Sequence, residues 1–223
     1  MKDNQPKHRQ IAKARGKAER TKAVRRETGS ALIVCEGECT EPFYLKGLIQ
    51  HFGINSASVE IVPGESKSNA IAVVNRARER FEQDPRDRVF VVIDAEQIDL
   101  ARAIKLCKSP LQRANRKKEL PEIRIEPIIT SPCFELWLLL HFRFTDQPFG
   151  SFEDVRPQLQ LELPGYSKND PHIFAKVGGG EGLQRALLHA EKLRSTLKAT
   201  GAKSPDTNLD ILVEAMLAIA HQD

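Results

Sequence analysis

ALIVCEGE, residues 31–38, and VFVVIDAE, residues 89–96, decide the fold. Each is a short run of apolar, largely β-branched residues, the pattern of a strand buried on both faces. Each stops at acids: Glu36 and then Glu38 after the first, Asp94 and Glu96 after the second. In an open parallel sheet the functional crevice lies beyond the carboxyl ends of the strands. Two such strands side by side bring Glu36, Asp94 and Glu96 to one place. Crowded carboxylates repel one another and call for a cation. Mg²⁺, or Mn²⁺ in its stead, suits oxygen ligands and phosphate substrates. Either acid cluster alone is equally compatible with strands that simply end in solvent; the two together favour the metal.

The surrounding sequence places these strands in an alternating α/β chain. A strand over Ala31–Cys35 is followed by a helix opened by Thr40 as cap and Pro42 in its first turn. Phe43, Leu45, Leu48, Ile49 and Phe52 are its core candidates. A strand over Ser58–Val62 and a helix over Ser66–Phe81 follow, the helix with Ala70, Val73, Val74, Ala77 and Phe81 on one face. Asp84-Pro85 breaks it. After the strand Val89–Ile93 come a helix within 97–118 and a strand over Ile123–Ile129. Alternation of this kind predicts a three-layer, Rossmann-like, mostly parallel sheet with right-handed crossovers.

SPCFELWLLLHF, 131–142, reads as a buried helix with Ser131 as cap and Pro132 at its first position. Glu135 is its exception. A buried carboxylate with only Leu138 and Leu139 beside it needs a cation, a donor or a proton. It either joins the acids above or pairs with a Lys or Arg. Residues 145–182 are looser and hold Tyr166-Ser-Lys-Asn-Asp170 and Lys176-Val-Gly-Gly-Gly180. The glycines precede a helix over Gly182–Leu197. Glycines before a helix N-terminus can receive phosphate, but these lack the GxxxxGK[ST] of a phosphate-binding loop, and a flexible linker is the favoured reading. A final helix covers Leu209–Ala220. The organisation expected is a basic arm (1–29), an α/β core (30–144) and a helical extension packed on it (145–223).

The 223 residues carry a net charge of +4, unevenly spread. Residues 1–28 hold ten Lys/Arg against three acids, so they are +7 and the remainder is −3. A basic arm on a mildly acidic body suits a polyanion, and nucleic acid is the partner expected. No apolar run approaches the length of a membrane span, and a polar, basic start is no secretory signal. A cytoplasmic protein with no membrane partner is expected. Cys35, Cys39, Cys107 and Cys133 form no CxxC pair and no zinc spacing, so buried free thiols are the default.

An apolar strand ending in Glu, followed by one ending in Asp-x-acid, is similar to the Toprim domain of topoisomerases, primases and OLD-type nucleases. More closely, the chain resembles RloB-like proteins, associated with restriction-modification and phage-defence loci. The segments carrying the likeness are 34–48 (VCEGECTEPFYLKGL), 89–97 (VFVVIDAEQ), 131–142 (SPCFELWLLLHF), 166–170 (YSKND) and 204–216 (SPDTNLDILVEAM). They span residues 31–216.

The resemblance implies that Glu36 acts as general acid or base and that Asp94 and Glu96 hold divalent metal together with Glu36. The usual pair is Asp-x-Asp. Glu96 departs from it by one methylene, which bears on near-octahedral Mg²⁺; Glu38 or Asp99 is placed to compensate. Glu135 and Lys168 are expected in support, with Tyr166, Lys168 and Lys176 as substrate contacts. The activity so implied is a metal-dependent nuclease or related phosphoryl transfer in phage defence, including abortive infection, with a protein partner in that system. Two alternatives stand beside it: a catalytically silent nucleic-acid-binding accessory protein, and a nucleotide-handling enzyme. With only Tyr44 and Tyr166 as tyrosines and no zinc module, strand passage and priming are disfavoured.

Overall fold

A computed structural model describes residues 29–65, 68–112 and 122–220. The basic arm over 1–28, the expected helix start at Ser66 and the end of the expected helix over 113–118 lie outside the described residues. The elements run β1 (Ala31–Cys35), α1 (Thr40–Phe52), β2 (Val59–Val62), α2 (Ala70–Gln83), β3 (Arg88–Asp94), α3 (Leu100–Cys107) and β4 (Ile125–Ser131). The chain continues through α4 (Glu135–Leu140), α5 (Phe152–Glu162), α6 (Ile173–Lys176), α7 (Gly179–Thr200), β5 (Asp206–Thr207) and α8 (Leu209–Ala220).

The strands lie in the order β2-β1-β3-β4-β5. The first four are parallel, with Ala31 between Val59 and Arg88 and Asp94 opposite Thr130. β5 closes the edge antiparallel to β4. The chain leaves β1 for β2 on one side and returns to β3 on the other, so the order reverses between β1 and β3. That reversal opens a crevice at the carboxyl ends of these two strands.

Period-two alternation divides the core. Ala31, Ile33, Cys35, Phe90 and Val92 join the apolar faces of α1, α4, α7 and α8 on one side of the sheet. Leu32, Val34, Val89, Val91 and Ile93 meet α2 and α3 on the other. Both strand faces are dry, which is why the sequence shows continuous apolar runs. Residues beyond 144 share the first of these cores and supply β5 to the sheet. Among the described residues no helix is long and apolar enough to cross a membrane.

Several local expectations change. Ser131 does not cap a helix: it is the last residue of β4, paired with Asp206, and its hydroxyl donates to Ser204. The ladder claims the Ser131 backbone, the Ser131–Pro132 bond is cis, and α4 starts only at Glu135. Thr40 likewise caps nothing; its hydroxyl donates to the Lys168 carbonyl at 3.1 Å. α2 starts at Ala70, capped by the Asn69 side chain on the Ala72 N–H. Phe52 is on the surface, whereas Tyr44 is fully buried.

Tyr44 owes its burial to a polar partner in an apolar core. His141 Nδ1–H donates to the Trp137 carbonyl at 2.9 Å, leaving Nε2 to accept from the Tyr44 hydroxyl at 3.0 Å. Burial pushes the His141 ring down to about 4, so it is neutral at physiological pH. The loose region also holds more structure than its composition suggests. The Asp154 carboxylate accepts from the Gly150 and Ser151 N–H groups, a Ser-x-x-Asp start for α5. The glycine run is not a linker: Gly178, at φ 94°, is the N-cap of α7.

Candidate active site

Four carboxylates converge on the crevice between β1 and β3. Glu36, the first residue past β1, is held by its own N–H donating to the Val92 carbonyl at 3.0 Å. Its carboxylate accepts from the Asp94 N–H at 3.1 Å and from the Gln97 amide. Asp94, the last residue of β3, accepts from the Phe134 N–H at 2.9 Å. Glu41, in the first turn of α1, accepts from the Gly37 N–H at 3.0 Å. Glu135 opens α4, and its Oε1 accepts from the Tyr166 hydroxyl at 2.7 Å and from Lys168 Nζ at 3.3 Å. Three of the four thus hang from the ends of β1, β3 and the helix that follows β1, and the fourth from the helix that follows β4.

A cavity of about 410 Å³ is lined by Glu36, Glu41, Asp94, Glu96, Glu135 and Lys168 among others. Among the described residues, Lys168 is the only Lys or Arg on its wall. Its ammonium also stands 3.9 Å over the Phe152 ring, so a carboxylate and an aromatic face fix it together. Partial burial works against the Lys168 charge, but Glu135 and then Asp94 outweigh it and hold the group above its ordinary range.

The acids pay for their company. Burial raises Glu36 to about 7, with Glu41 and Glu96 adding repulsion that the Asp94 N–H and Gln97 only partly offset. Burial and then the charges of Glu41, Glu36 and Glu135 push Asp94 well above the usual carboxylate range. Glu41, 6% exposed, is raised by burial and by Glu135. Burial and the neighbouring Glu135 likewise raise the Tyr166 hydroxyl and the Cys133 thiol, so neither ionises readily as a nucleophile.

Among the described residues, no three His, Cys, Asp or Glu side chains stand in a formed metal-ligand arrangement. Several carboxylate oxygens are turned to backbone N–H groups, Tyr166 and Lys168 instead. The remaining acids differ in place. Glu96 is exposed on the rim. Glu38 is also at the surface and lines the cavity. Asp99 accepts from the Ile71 N–H at 3.1 Å and so serves the start of α2. Lys176 is paired with Asp170 and does not line the cavity.

Glu41 escaped the sequence reading. It looks like an ordinary acid in a helix first turn, where the helix dipole welcomes negative charge. What marks it is the neighbouring Gly37: a Cβ there would lie 2.1 Å from the Glu41 carboxylate. Gly64 is just as constrained, because a Cβ would lie 1.7 Å from the Glu36 carbonyl while its N–H donates to the Gly37 carbonyl at 2.9 Å. Gly64→Ala is expected to push the 36–37 backbone out of place, lowering stability by about 1–3 kcal/mol. Denaturant unfolding measures this; a midpoint equal to wild type would show that the loop yields freely.

The family model described as RloB-like protein matches residues 31–216. The chain belongs to this family. No curated protein and no solved structure matches it. In this RloB-like chain the matched span runs from the first residue of β1 into α8 and contains every carboxylate of the crevice together with Tyr166 and Lys168.

Proposed function

We propose that this RloB-like protein is a divalent-metal-dependent phosphodiesterase that cuts nucleic acid, its core being Glu36, Asp94, Glu96 and the previously unmarked Glu41. The single observation that supports it most is the imbalance of charge: among the described residues, four buried or half-buried carboxylates share one ammonium. A desolvated excess of negative charge is costly unless a cation or protons offset it. The donors are all carboxylate oxygens, which suits Mg²⁺ or Mn²⁺. Glu36, Asp94 and Glu96 would hold the ion, with Glu41 beside them. The bound ion would supply charge neutralisation and a low-pKa water at a phosphodiester.

The chain's own groups divide the remaining work. Glu36, near 7, exchanges a proton readily at neutral pH and suits a general acid or base. Lys168, fixed by Glu135 and Phe152, presents an ammonium to a phosphate oxygen at the cavity wall. Tyr166 donates to Glu135 and keeps that carboxylate turned to Lys168. Acids at the carboxyl ends of adjacent parallel strands support a Toprim-like reading of the site. A role in phage defence, with a protein partner, rests on the family likeness alone.

The test is cleavage of labelled single-stranded DNA, double-stranded DNA and RNA with Mg²⁺ or Mn²⁺. Glu36→Gln is expected to lower turnover by about 10²–10⁴-fold with the fold intact. Turnover unchanged in that variant would overturn the assignment. The second reading, a binding protein without catalysis, draws on the carboxylate oxygens already engaged by backbone donors. Polynucleotide binding by wild type with no metal uptake and no cutting would favour it.

A further inference from the structure

Beside the acidic cavity a groove of mixed charge opens toward a basic helix face. The groove, of about 470 Å³, is lined by Asn69, Ile71, Glu96, Gln97, Ile98, Asp99 and Arg102. Glu96 belongs to both walls, and Ser68 of the cavity adjoins Asn69 of the groove. The groove leads onto α3, whose exposed side chains include Arg102 and Lys105, with Lys108 at its C-cap.

This face gathers cations without partners, and Arg102 is unusual among the described arginines in having none. Described arginines elsewhere are engaged, for example Arg76 with Glu65, Arg88 with Glu126, Arg194 with Asp210, and Arg185 with the His141 carbonyl. Among the described residues, Arg102, Lys105 and Lys108 have no ion pair and no side-chain hydrogen bond. From Leu100 to Lys118 the sequence holds seven Lys/Arg and no Asp or Glu. The body of the chain, −3 beyond residue 28, therefore conceals a strong internal separation of charge. At the rim of the groove Ile98 is fully exposed, at 104% of its reference area.

We propose that this face of α3 is the track for the sugar–phosphate backbone of a polynucleotide whose reacting phosphate reaches the acidic cavity. Arg102, Lys105 and Lys108 span about 9 Å along the helix axis, enough to meet successive phosphates of one strand. An acidic centre repels a polyanion, so a strand needs cations on its approach to offset that repulsion. Among the described residues Lys168 alone stands inside; α3 supplies others outside, on the far side of Glu96. Ile98 separates a nucleic acid from a simple polyanion, because an apolar side chain packs against bases and gives phosphate nothing. The inference rests on the phosphodiesterase reading for the cavity and adds where the substrate lies.

Binding tests it apart from chemistry. Labelled single-stranded DNA and RNA of one sequence are titrated onto full-length Glu36→Gln protein, without divalent metal, over a range of salt. Arg102→Gln/Lys105→Gln/Lys108→Gln is expected to weaken binding of either strand and to flatten the dependence of log affinity on log salt by about two to three. Lys46→Gln/Lys198→Gln/Lys203→Gln removes the same charge from α1, α7 and the loop after α7 and is expected to keep the original slope. Ile98→Ala is expected to weaken binding while leaving the slope unchanged. An α3 triple variant with wild-type affinity and slope overturns the proposal, as does equal loss in the control triple. No polynucleotide binding by the unsubstituted chain also overturns it. Binding that follows these expectations, with no cutting by wild type, would uphold the track and sink the phosphodiesterase reading instead.

Discussion

Asp94→Asn is expected to lower metal-dependent cleavage by about 10²–10³-fold and, in the absence of metal, to raise the melting temperature. The two effects share one cause. Asp94 lies among Glu36, Glu41 and Glu135, and burial together with those charges pushes its carboxyl well above the usual range. Removing the charge relieves repulsion within the cluster. Asparagine keeps an oxygen to accept the Phe134 N–H, so the turn into α4 stays anchored. A relief of roughly 1 kcal/mol amounts to about 2–4 °C in a domain of this size. Thermal scans without metal, set beside cleavage assays with it, read both effects. A variant that loses activity and melts lower would mean that Asp94 is chiefly structural. A variant that melts higher and cuts as wild type would mean that the crowding serves no chemistry.

Without metal, stability is expected to fall as pH rises from 6.5 to 8.5, and Mg²⁺ is expected to restore most of it at the upper end. Glu36 has a folded pKa of about 7, above its ordinary 4.5. A group raised on folding stabilises fully below its unfolded pKa and loses that contribution as pH climbs through the folded value. Asp94 and Glu41 are shifted in the same direction and extend the loss. His141 acts oppositely: its pKa falls from 6.5 to about 4, so it costs stability as pH drops below 6.5. The His141 contribution fades above about 7.5, and toward 8.5 the buried thiols Cys35, Cys107 and Cys133, raised by burial, add to the fall. A cation that binds them displaces protons, so its affinity should rise with pH over the same window. Melting temperatures with and without Mg²⁺ test this, and calorimetry in two buffers of different ionisation enthalpy counts the protons released. A metal-free melting temperature that is flat or rising across the window, with no shift from Mg²⁺, would remove the case for a cation.

The apolar runs 31–35 and 89–93 determined the central strands, because a strand buried on both faces leaves no polar alternative in its sequence. Acids at the ends of those runs were enough to mark Glu36, Asp94 and Glu96. Glu135 stood out as one carboxylate in an apolar helix, and Tyr166 and Lys168 came with the family pattern. Spacing showed the core residues of α2 and, in α1, Leu45 and Leu48, while Tyr44 passed unnoticed because its hydroxyl needs His141, 97 positions away.

Tertiary structure alone decided the rest. Only the strand order shows that β1 and β3 are neighbours and that the crevice opens between them. The pairing of β4 with β5 turned Ser131 from a helix cap into a strand end. Glu41 became part of the site because Gly37 lets its carboxylate fold back against the loop, a contact that no periodicity carries. Lys168 was separated from Lys176 by which carboxylate each meets, Glu135 in the cavity or Asp170 outside it. The cations of α3 carried no signal in the sequence; the groove that Arg102 shares with Glu96 ties them to the site. Local sequence dictates which residues avoid water, since that preference belongs to each side chain. Which charges finally face one another depends on contacts between distant segments, and those exist only once the sheet has formed.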